Sequence, residues 1–80
     1  MNILITGSAG FIGFSLANRL LNETKFNVYG LDNLNNYYSI NLKKKRISIL
    51  KKHKKFNFFK IDLLNKNKLS NLFKNNKFDV

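Results

Sequence analysis

The chain has 80 residues, and its 15 basic residues against 4 acidic ones give a net charge of +11. A chain of this length forms at most one small domain with a limited core. The absence of cysteine excludes a disulfide framework and a thiolate metal site, and the single His53 argues against a histidine-based one. No apolar run is long enough to span a bilayer, and the first residues lack the pattern of a signal peptide. We therefore expect a cytoplasmic protein with no metal site and no membrane contact.

The excess of positive charge raises the question of a nucleic-acid partner. Lysine supplies nearly all of it, since Arg19 and Arg46 are the only arginines. Arginine is the residue that reads guanine edges through paired hydrogen bonds, so a base-reading surface would be expected to contain more of it. We therefore predict no nucleic-acid partner. A basic nucleic-acid module remains an alternative, and it would show affinity that falls steeply with salt.

The first elements along the chain are a short strand, a glycine turn and a helix. Residues 2–6 are apolar enough for a buried strand. The turn that follows contains three glycines at intervals of three, Gly7, Gly10 and Gly13. The helix predicted over 11–22 has apolar residues at helical spacing, which we expect on its buried face: Ile12, Leu16 and Leu20.

Strands and helices continue to alternate over the rest of the chain. The sequence predicts a strand over 26–32, a basic amphipathic helix over 40–54 and an aromatic-rich strand over 56–61. A third helix around Leu69, Leu72 and Phe73 follows, and residues 78–80 begin a fourth strand. Such alternation implies parallel strands with right-handed crossovers in the spatial order 3-2-1. We predict an α/β fold with a Rossmann-type parallel sheet, of which the chain holds three strands, the start of a fourth, and three helices.

A glycine-rich turn between a strand and a helix suits a pyrophosphate. One glycine permits the tight turn, one lets the backbone approach phosphate, and one allows the helix to pack closely on the strand. The start of the helix adds unpaired N–H groups, here those of Phe11 and Ile12, and the positive end of the helix dipole. The alternative is an ordinary strand–helix turn without a ligand.

Two acidic residues favour the nucleotide interpretation. Asp32 lies nineteen residues beyond Gly13, at the end of the second predicted strand. A carboxylate at that place accepts hydrogen bonds from a ribose 2′-hydroxyl and repels a 2′-phosphate, which favours NAD over NADP. Asp62 follows the third strand at the same sheet edge and is placed to meet an adenine amino group. The alternatives are a strand-end turn for Asp32 and, for Asp62, a residue that caps or precedes the third helix.

The segments TGSAGFIG, LDN and KIDL resemble the extended short-chain dehydrogenase/reductase family, which comprises NAD-dependent nucleotide-sugar epimerases and dehydratases. Residues 31–46 are the more specific part, because a D-N-L-N-x-Y-Y segment followed by L-K-x-x-R is similar to the UDP-glucuronate 4-epimerases. Asn36 departs from that subgroup, which often has Asp there. The resemblance implies NAD as cofactor and a set of residues that contact it: Gly7, Gly10, Phe11, Ile12 and Gly13 at the pyrophosphate, Asp32, Asn33, Asn36 and Lys43 at the adenosine ribose, and Asp62 and Leu63 at the adenine.

The resemblance also implies a reaction for the full-length protein. Such an enzyme oxidises C4 of a UDP-sugar with NAD⁺ and returns the hydride to the other face of the 4-keto sugar. The family's Tyr-x-x-x-Lys pair is expected beyond residue 80, because no tyrosine in the chain has a lysine four positions on. We therefore expect residues 1–80 to be the N-terminal part of an NAD-binding domain, inactive alone, from a homodimeric UDP-sugar epimerase. Another nucleotide-sugar epimerase, a 4,6-dehydratase and a non-catalytic nucleotide-binding protein are the alternatives.

Overall fold

A computed structural model of the protein describes residues 1–34 and 39–80. Within them, strands and helices alternate as β1 (Asn2–Thr6), α1 (Phe11–Glu23), β2 (Asn27–Asp32), α2 (Ile40–Leu50), β3 (Phe56–Lys60) and α3 (Lys66–Asn75). This alternation confirms the predicted α/β class. None of the helices in the described part of the chain is long and apolar enough to cross a membrane.

The three strands form one parallel sheet in the order β1-β2-β3, which is the predicted spatial order. The other edge of β1 is also engaged. The Leu4 N–H donates to the Val80 carbonyl at 2.9 Å, and the Val80 N–H donates to the Asn2 carbonyl at 3.4 Å. This is the pattern of parallel pairing, so the backbone at Val80 runs along β1 where the fourth strand is predicted to begin.

The helices cover both faces of the sheet. Successive side chains of a strand point to opposite faces, and both faces carry apolar side chains that the helices bury. The first two helices share one face with the larger apolar cluster, whose buried members include Ile3, Val28, Phe56, Ala17, Ile47 and Leu50. The third helix packs on the other face, around Leu31, Ile61 and Leu72. The C-terminal ends of all three strands are therefore left open at one edge, between the two layers.

The buried face of α1 differs from the predicted one. Ile12 and Leu16 are 80% and 48% exposed, while Gly13 and Ala17 are buried. The reason is the close approach of this helix to the turn before it. A Cβ at Gly13 would overlap the Gly7 carbonyl oxygen, so no side chain fits where the helix faces the turn. Ile12 and Leu16 therefore lie away from the core, while Leu20, the third residue of the predicted face, is partly buried and packs against it.

The second helix is shorter than predicted and ends at Leu50 rather than at residue 54. After it the chain turns, because the His53 N–H donates to the Leu50 carbonyl at 3.0 Å and the Phe56 N–H donates to the His53 carbonyl at 3.2 Å. This compact turn delivers Phe56 into the core at the first position of β3. The helix is capped at its start by Ser39, whose hydroxyl accepts a hydrogen bond from the Leu42 N–H.

Candidate functional site

The β1–α1 turn depends on its glycines for its shape. Gly7 has a φ of +65°, in the left-handed region that favours glycine. The Gly10 N–H donates to the Gly7 carbonyl at 3.0 Å, which closes the turn. At Gly13 a side chain would collide with the same carbonyl. The turn therefore brings the start of α1 into backbone contact with the end of β1.

The N-terminus of α1 is bare at this turn. Gly10 is its N-cap residue and has no side chain with which to cap the first N–H groups. The first N–H groups of a helix have no partner within the helix, and they carry the positive end of its dipole. Phe11 and Ile12 hold two of these groups. The turn thus presents backbone donors and positive potential at the open edge of the sheet, which is an arrangement that suits a phosphate.

Asp32, the last residue of β2, connects the sheet to the glycine turn. Its side chain is buried, and its Oδ2 accepts a hydrogen bond from the Ala9 N–H at 3.0 Å. Its Oδ1 accepts from the Leu34 N–H at 2.8 Å, so the strand-end turn expected as the alternative is present as well. A carboxylate offers about four acceptor positions. These backbone contacts therefore leave it acceptor capacity for a hydroxyl group.

Lys43 brings a buried positive charge to the same carboxylate. Its Nζ lies 3.9 Å from the Asp32 Oδ1, and the two side chains are only 7% and 6% exposed. Both charges are therefore withdrawn from bulk water, and a buried ion pair is screened by salt much less than an exposed one. The pair places a cation from α2 beside the end of β2.

The predicted site residues gather around two adjoining cavities. A cleft of about 310 Å³ at the C-terminal ends of the strands is lined by seven of them: Gly7, Gly10, Asp32, Asn33, Lys43, Asp62 and Leu63. A neighbouring groove of about 710 Å³ shares Gly7 and Gly10 with the cleft and adds the other three: Phe11, Ile12 and Gly13. Asn36, the remaining predicted site residue, lies outside the described residues. The glycine turn is thus the boundary between the two cavities.

Asp62 has a structural role together with its place in the cleft. Its Oδ1 accepts a hydrogen bond from the Leu64 N–H at 2.9 Å, and its carbonyl accepts from the Asn65 N–H at 2.9 Å. These contacts form a turn that leads into α3, which is capped by the side chain of Asn65. Asp62 therefore shapes the approach to the helix without being its cap, while its side chain is exposed at the wall of the cleft.

The sequence did not indicate a role for Arg46. It lies on α2, and its Nη1 donates to the Ala9 carbonyl at 3.1 Å. Its guanidinium carbon is 6.0 Å from the centre of the Phe11 ring, and the side chain lines the groove. In the sequence it lies in the basic amphipathic helix predicted over 40–54, where it is the arginine of the L-K-x-x-R segment. One signal could have pointed to Arg46: it lies three residues after the predicted site residue Lys43, and residues three apart are neighbours on the surface of a helix.

The sequence patterns also indicated no role for Gly30. It lies in the middle of β2, where a Cβ would come within 2.6 Å of the Ser8 Oγ and 2.7 Å of the Phe56 ring. Ser8 is fully buried at this place. A glycine inside a strand often marks a close approach of another segment, and here that segment is the glycine turn.

Across residues 1–34 and 39–80, no three His, Asp or Glu side chains form a group that could hold a metal ion.

Comparison with known families agrees with this geometry. The family model described as GDP-mannose 4,6 dehydratase matches residues 4–80, nearly the whole chain. The chain belongs to this family. The resemblance to nucleotide-sugar epimerases and dehydratases is therefore confirmed, and the matched region includes the glycine turn, β2, β3 and the last three residues of β1.

Individual relatives of the chain are epimerases. The UDP-glucuronate 4-epimerase of Thermodesulfobacterium geofontis is 46% identical over 70 residues, which are 88% of this chain and 21% of that protein. The crystal structure of UDP-glucuronic acid 4-epimerase from Bacillus cereus in complex with NAD matches with a TM-score of 0.84 and 37% identity, over 99% of this chain and 25% of that one. The UDP-Glc/GlcNAc 4-epimerase of Campylobacter jejuni matches with a TM-score of 0.78 and 35% identity, over 99% of this chain and 22% of that one. The chain spans about a quarter of the length of the relatives it matches.

Proposed function

We propose that the whole protein is an NAD-dependent 4-epimerase acting on UDP-glucuronate, and that residues 1–80 bind the ADP half of NAD. One observation carries this proposal. The Asp32 carboxylate is buried at the C-terminal end of β2 and hydrogen-bonded to the glycine turn. A carboxylate in this position is suited to the hydroxyl groups of a ribose whose phosphate lies on the turn.

The proposed contacts follow the two cavities. The N–H groups of Phe11 and Ile12 would meet the pyrophosphate, where the three turn glycines allow close approach. Asp32 and Asn33 would hold the adenosine ribose, with Lys43 and Asn36 close to it. Asp62 and Leu63 would flank the adenine at the far wall of the cleft.

The share of this chain in the reaction is to bind and orient the cofactor. NAD supplies the hydride acceptor for C4 of the sugar, and the protein contributes position and electrostatics. The catalytic Tyr-x-x-x-Lys pair and the sugar-binding region are proposed to follow residue 80. A cytoplasmic homodimer is the proposed working form.

A 4,6-dehydratase acting on a nucleotide sugar is the second candidate. The family model that matches the chain is described by such an activity, on GDP-mannose. Both reactions begin by oxidation at C4 and would use the same ADP half-site. The 46% identity to a UDP-glucuronate 4-epimerase and the fit to epimerase crystal structures favour the first candidate.

Product analysis with the full-length protein separates these candidates. The protein is loaded with NAD⁺, incubated with UDP-glucuronate or with GDP-mannose, and the sugars are identified by NMR. We expect conversion of UDP-glucuronate to its C4 epimer without net formation of NADH. Dehydration of GDP-mannose with no change in UDP-glucuronate would establish the second candidate. Failure to bind NAD would overturn both.

A further inference from the structure

Arg46 reaches from α2 to the backbone of the glycine turn. It is half-buried, it donates a hydrogen bond to the Ala9 carbonyl at 3.1 Å, and its guanidinium packs near the Phe11 ring at 6.0 Å. A guanidinium at this distance is attracted to the face of an aromatic ring. The neighbouring Lys44 and Lys45 are exposed. Arg46 is thus set apart from the rest of the basic run by its contacts with the turn.

Ala9 is bonded through both its N–H and its carbonyl group, which makes the contact with Arg46 specific. The Ala9 N–H donates to the Asp32 Oδ2 at 3.0 Å, while its carbonyl accepts from Arg46. Because a trans peptide is planar, the Ala9 carbonyl and the Gly10 N–H point in opposite directions from one rigid unit. The Arg46 contact and the bond from Gly10 to the Gly7 carbonyl at 3.0 Å therefore fix the same plane.

We propose that Arg46 is a positioning residue for the diphosphate of the nucleotide, and this rests on the function proposed above. By holding the Ala9–Gly10 peptide it keeps the turn in the shape that presents the N–H groups of Phe11 and Ile12. Its positive charge lies on the groove that these two residues line, so it also attracts the anion. Adenosine has no phosphate and is recognised in the cleft, so its binding does not depend on Arg46.

Binding of ADP and of adenosine to the full-length protein, freed of cofactor, tests this role by titration calorimetry. Arg46→Met is compared with Lys45→Met, which removes the same charge from an exposed neighbour on the same helix. We expect Arg46→Met to weaken ADP about tenfold and to leave adenosine within about twofold of wild type. Lys45→Met is expected to leave both affinities within about twofold.

Two results would overturn the proposal. One is unchanged ADP affinity in Arg46→Met, and the other is an equal loss for adenosine, which would indicate general damage to the fold. If Arg46→Met does not fold, Arg46→Lys replaces it, with an expected loss of about threefold for ADP alone, because an ammonium cannot both stack on Phe11 and bond to Ala9 as a planar guanidinium does. Wild-type ADP affinity in Arg46→Lys would then count against the proposal. If the wild-type protein binds neither ADP nor NAD, the proposed function itself fails.

Discussion

The Asp32 carboxylate joins three segments of the chain at one point. It receives the N–H of Ala9 from the glycine turn, the N–H of Leu34 from the loop after β2, and the ammonium of Lys43 from α2. Hydrogen bonds to a charged acceptor are among the stronger ones in proteins. The residue that is proposed to select the cofactor is therefore also one that holds the turn in place.

Replacement of Asp32 by Ala in the full-length protein tests its part in cofactor selection. We expect NAD affinity to fall by about tenfold or more, because a charged acceptor of the ribose hydroxyls is lost. The preference for NAD over NADP should also narrow, since the carboxylate no longer repels a 2′-phosphate while Lys43 still attracts it. Dissociation constants for both cofactors provide the measurement.

Glu23→Ala is the matched control for this variant. It removes an exposed carboxylate at the far end of α1, where Glu23 pairs with Arg19 at 2.8 Å. We expect both cofactor affinities to stay at their wild-type values. An unchanged ratio of NAD to NADP affinity in Asp32→Ala would contradict the role assigned to Asp32.

Ser8 offers a second prediction at this scale. Its hydroxyl is fully buried and has no hydrogen-bond partner among the described residues. An unsatisfied buried polar group is unfavourable, so Ser8→Ala is expected to raise the free energy of unfolding by about 1 kcal/mol. Urea denaturation of the full-length protein measures it. A clear loss of stability would mean that the hydroxyl has a partner in solution.

Among the elements, α1 shows where sequence patterns succeed and where they stop. The glycine spacing and the acidic residue nineteen positions later predicted the turn and its place beside the end of β2. The helical spacing of Ile12 and Leu16 predicted the wrong face, because the close backbone contact at Gly13 sets the rotation of the helix. Such a contact is a property of the packed structure, and side-chain hydrophobicity alone does not reveal it.

The contacts made by α2 were only partly predictable: the family resemblance placed Lys43 near Asp32, but no pattern in the sequence placed Arg46 at Ala9. A run of lysines and an arginine is compatible with any orientation of the helix. The angle at which α2 packs on the sheet decides that Lys43 reaches Asp32 and that Arg46 reaches Ala9. Ile47 and Leu50 of α2 are buried in the core, so the orientation of the helix becomes known only when the core is assembled.

The approach of α1 to the turn predicts different outcomes for two glycine-to-alanine variants. Gly7→Ala has space for its methyl group but keeps a positive φ, so we expect a loss of about 1 kcal/mol in unfolding free energy. Gly13→Ala meets the Gly7 carbonyl and the Ser8 backbone, and this overlap is expected to destabilise the protein by about 3 kcal/mol. Thermal and denaturant unfolding of the full-length variants compare them. Equal losses would argue against the close contact.

The described part of the molecule is a flat body of about 32 × 31 × 17 Å. Its sheet is covered on both faces, while the open edge at the strand ends exposes the cleft and the groove. Large apolar side chains remain exposed beside this edge, among them Phe11, Ile12 and Leu63. Exposed apolar groups next to a polar site are typical of surfaces that bind a ligand or another part of a protein.

Residues 1–80 expressed alone are expected to show no epimerase turnover. They contain the proposed ADP half-site but no tyrosine with a lysine four positions on, so the proton transfer at the sugar hydroxyl lacks its base. Incubation with NAD⁺ and UDP-glucuronate, followed by NMR of the sugar, provides the test. The full-length protein serves as the positive control, and any turnover by the short chain would contradict this prediction.

The hydrogen bonds of Ala9 to Asp32 and to Arg46 have a thermodynamic consequence. Fixing a flexible backbone segment lowers its conformational entropy, and that loss falls on whichever event orders the segment. Here the Ala9 backbone is held by contacts within the protein, to Asp32 and to Arg46. Association therefore has little backbone disorder to remove, which improves affinity without adding a contact. A glycine-rich segment, which suggests flexibility from its composition, is in this molecule held from both sides by other parts of the chain.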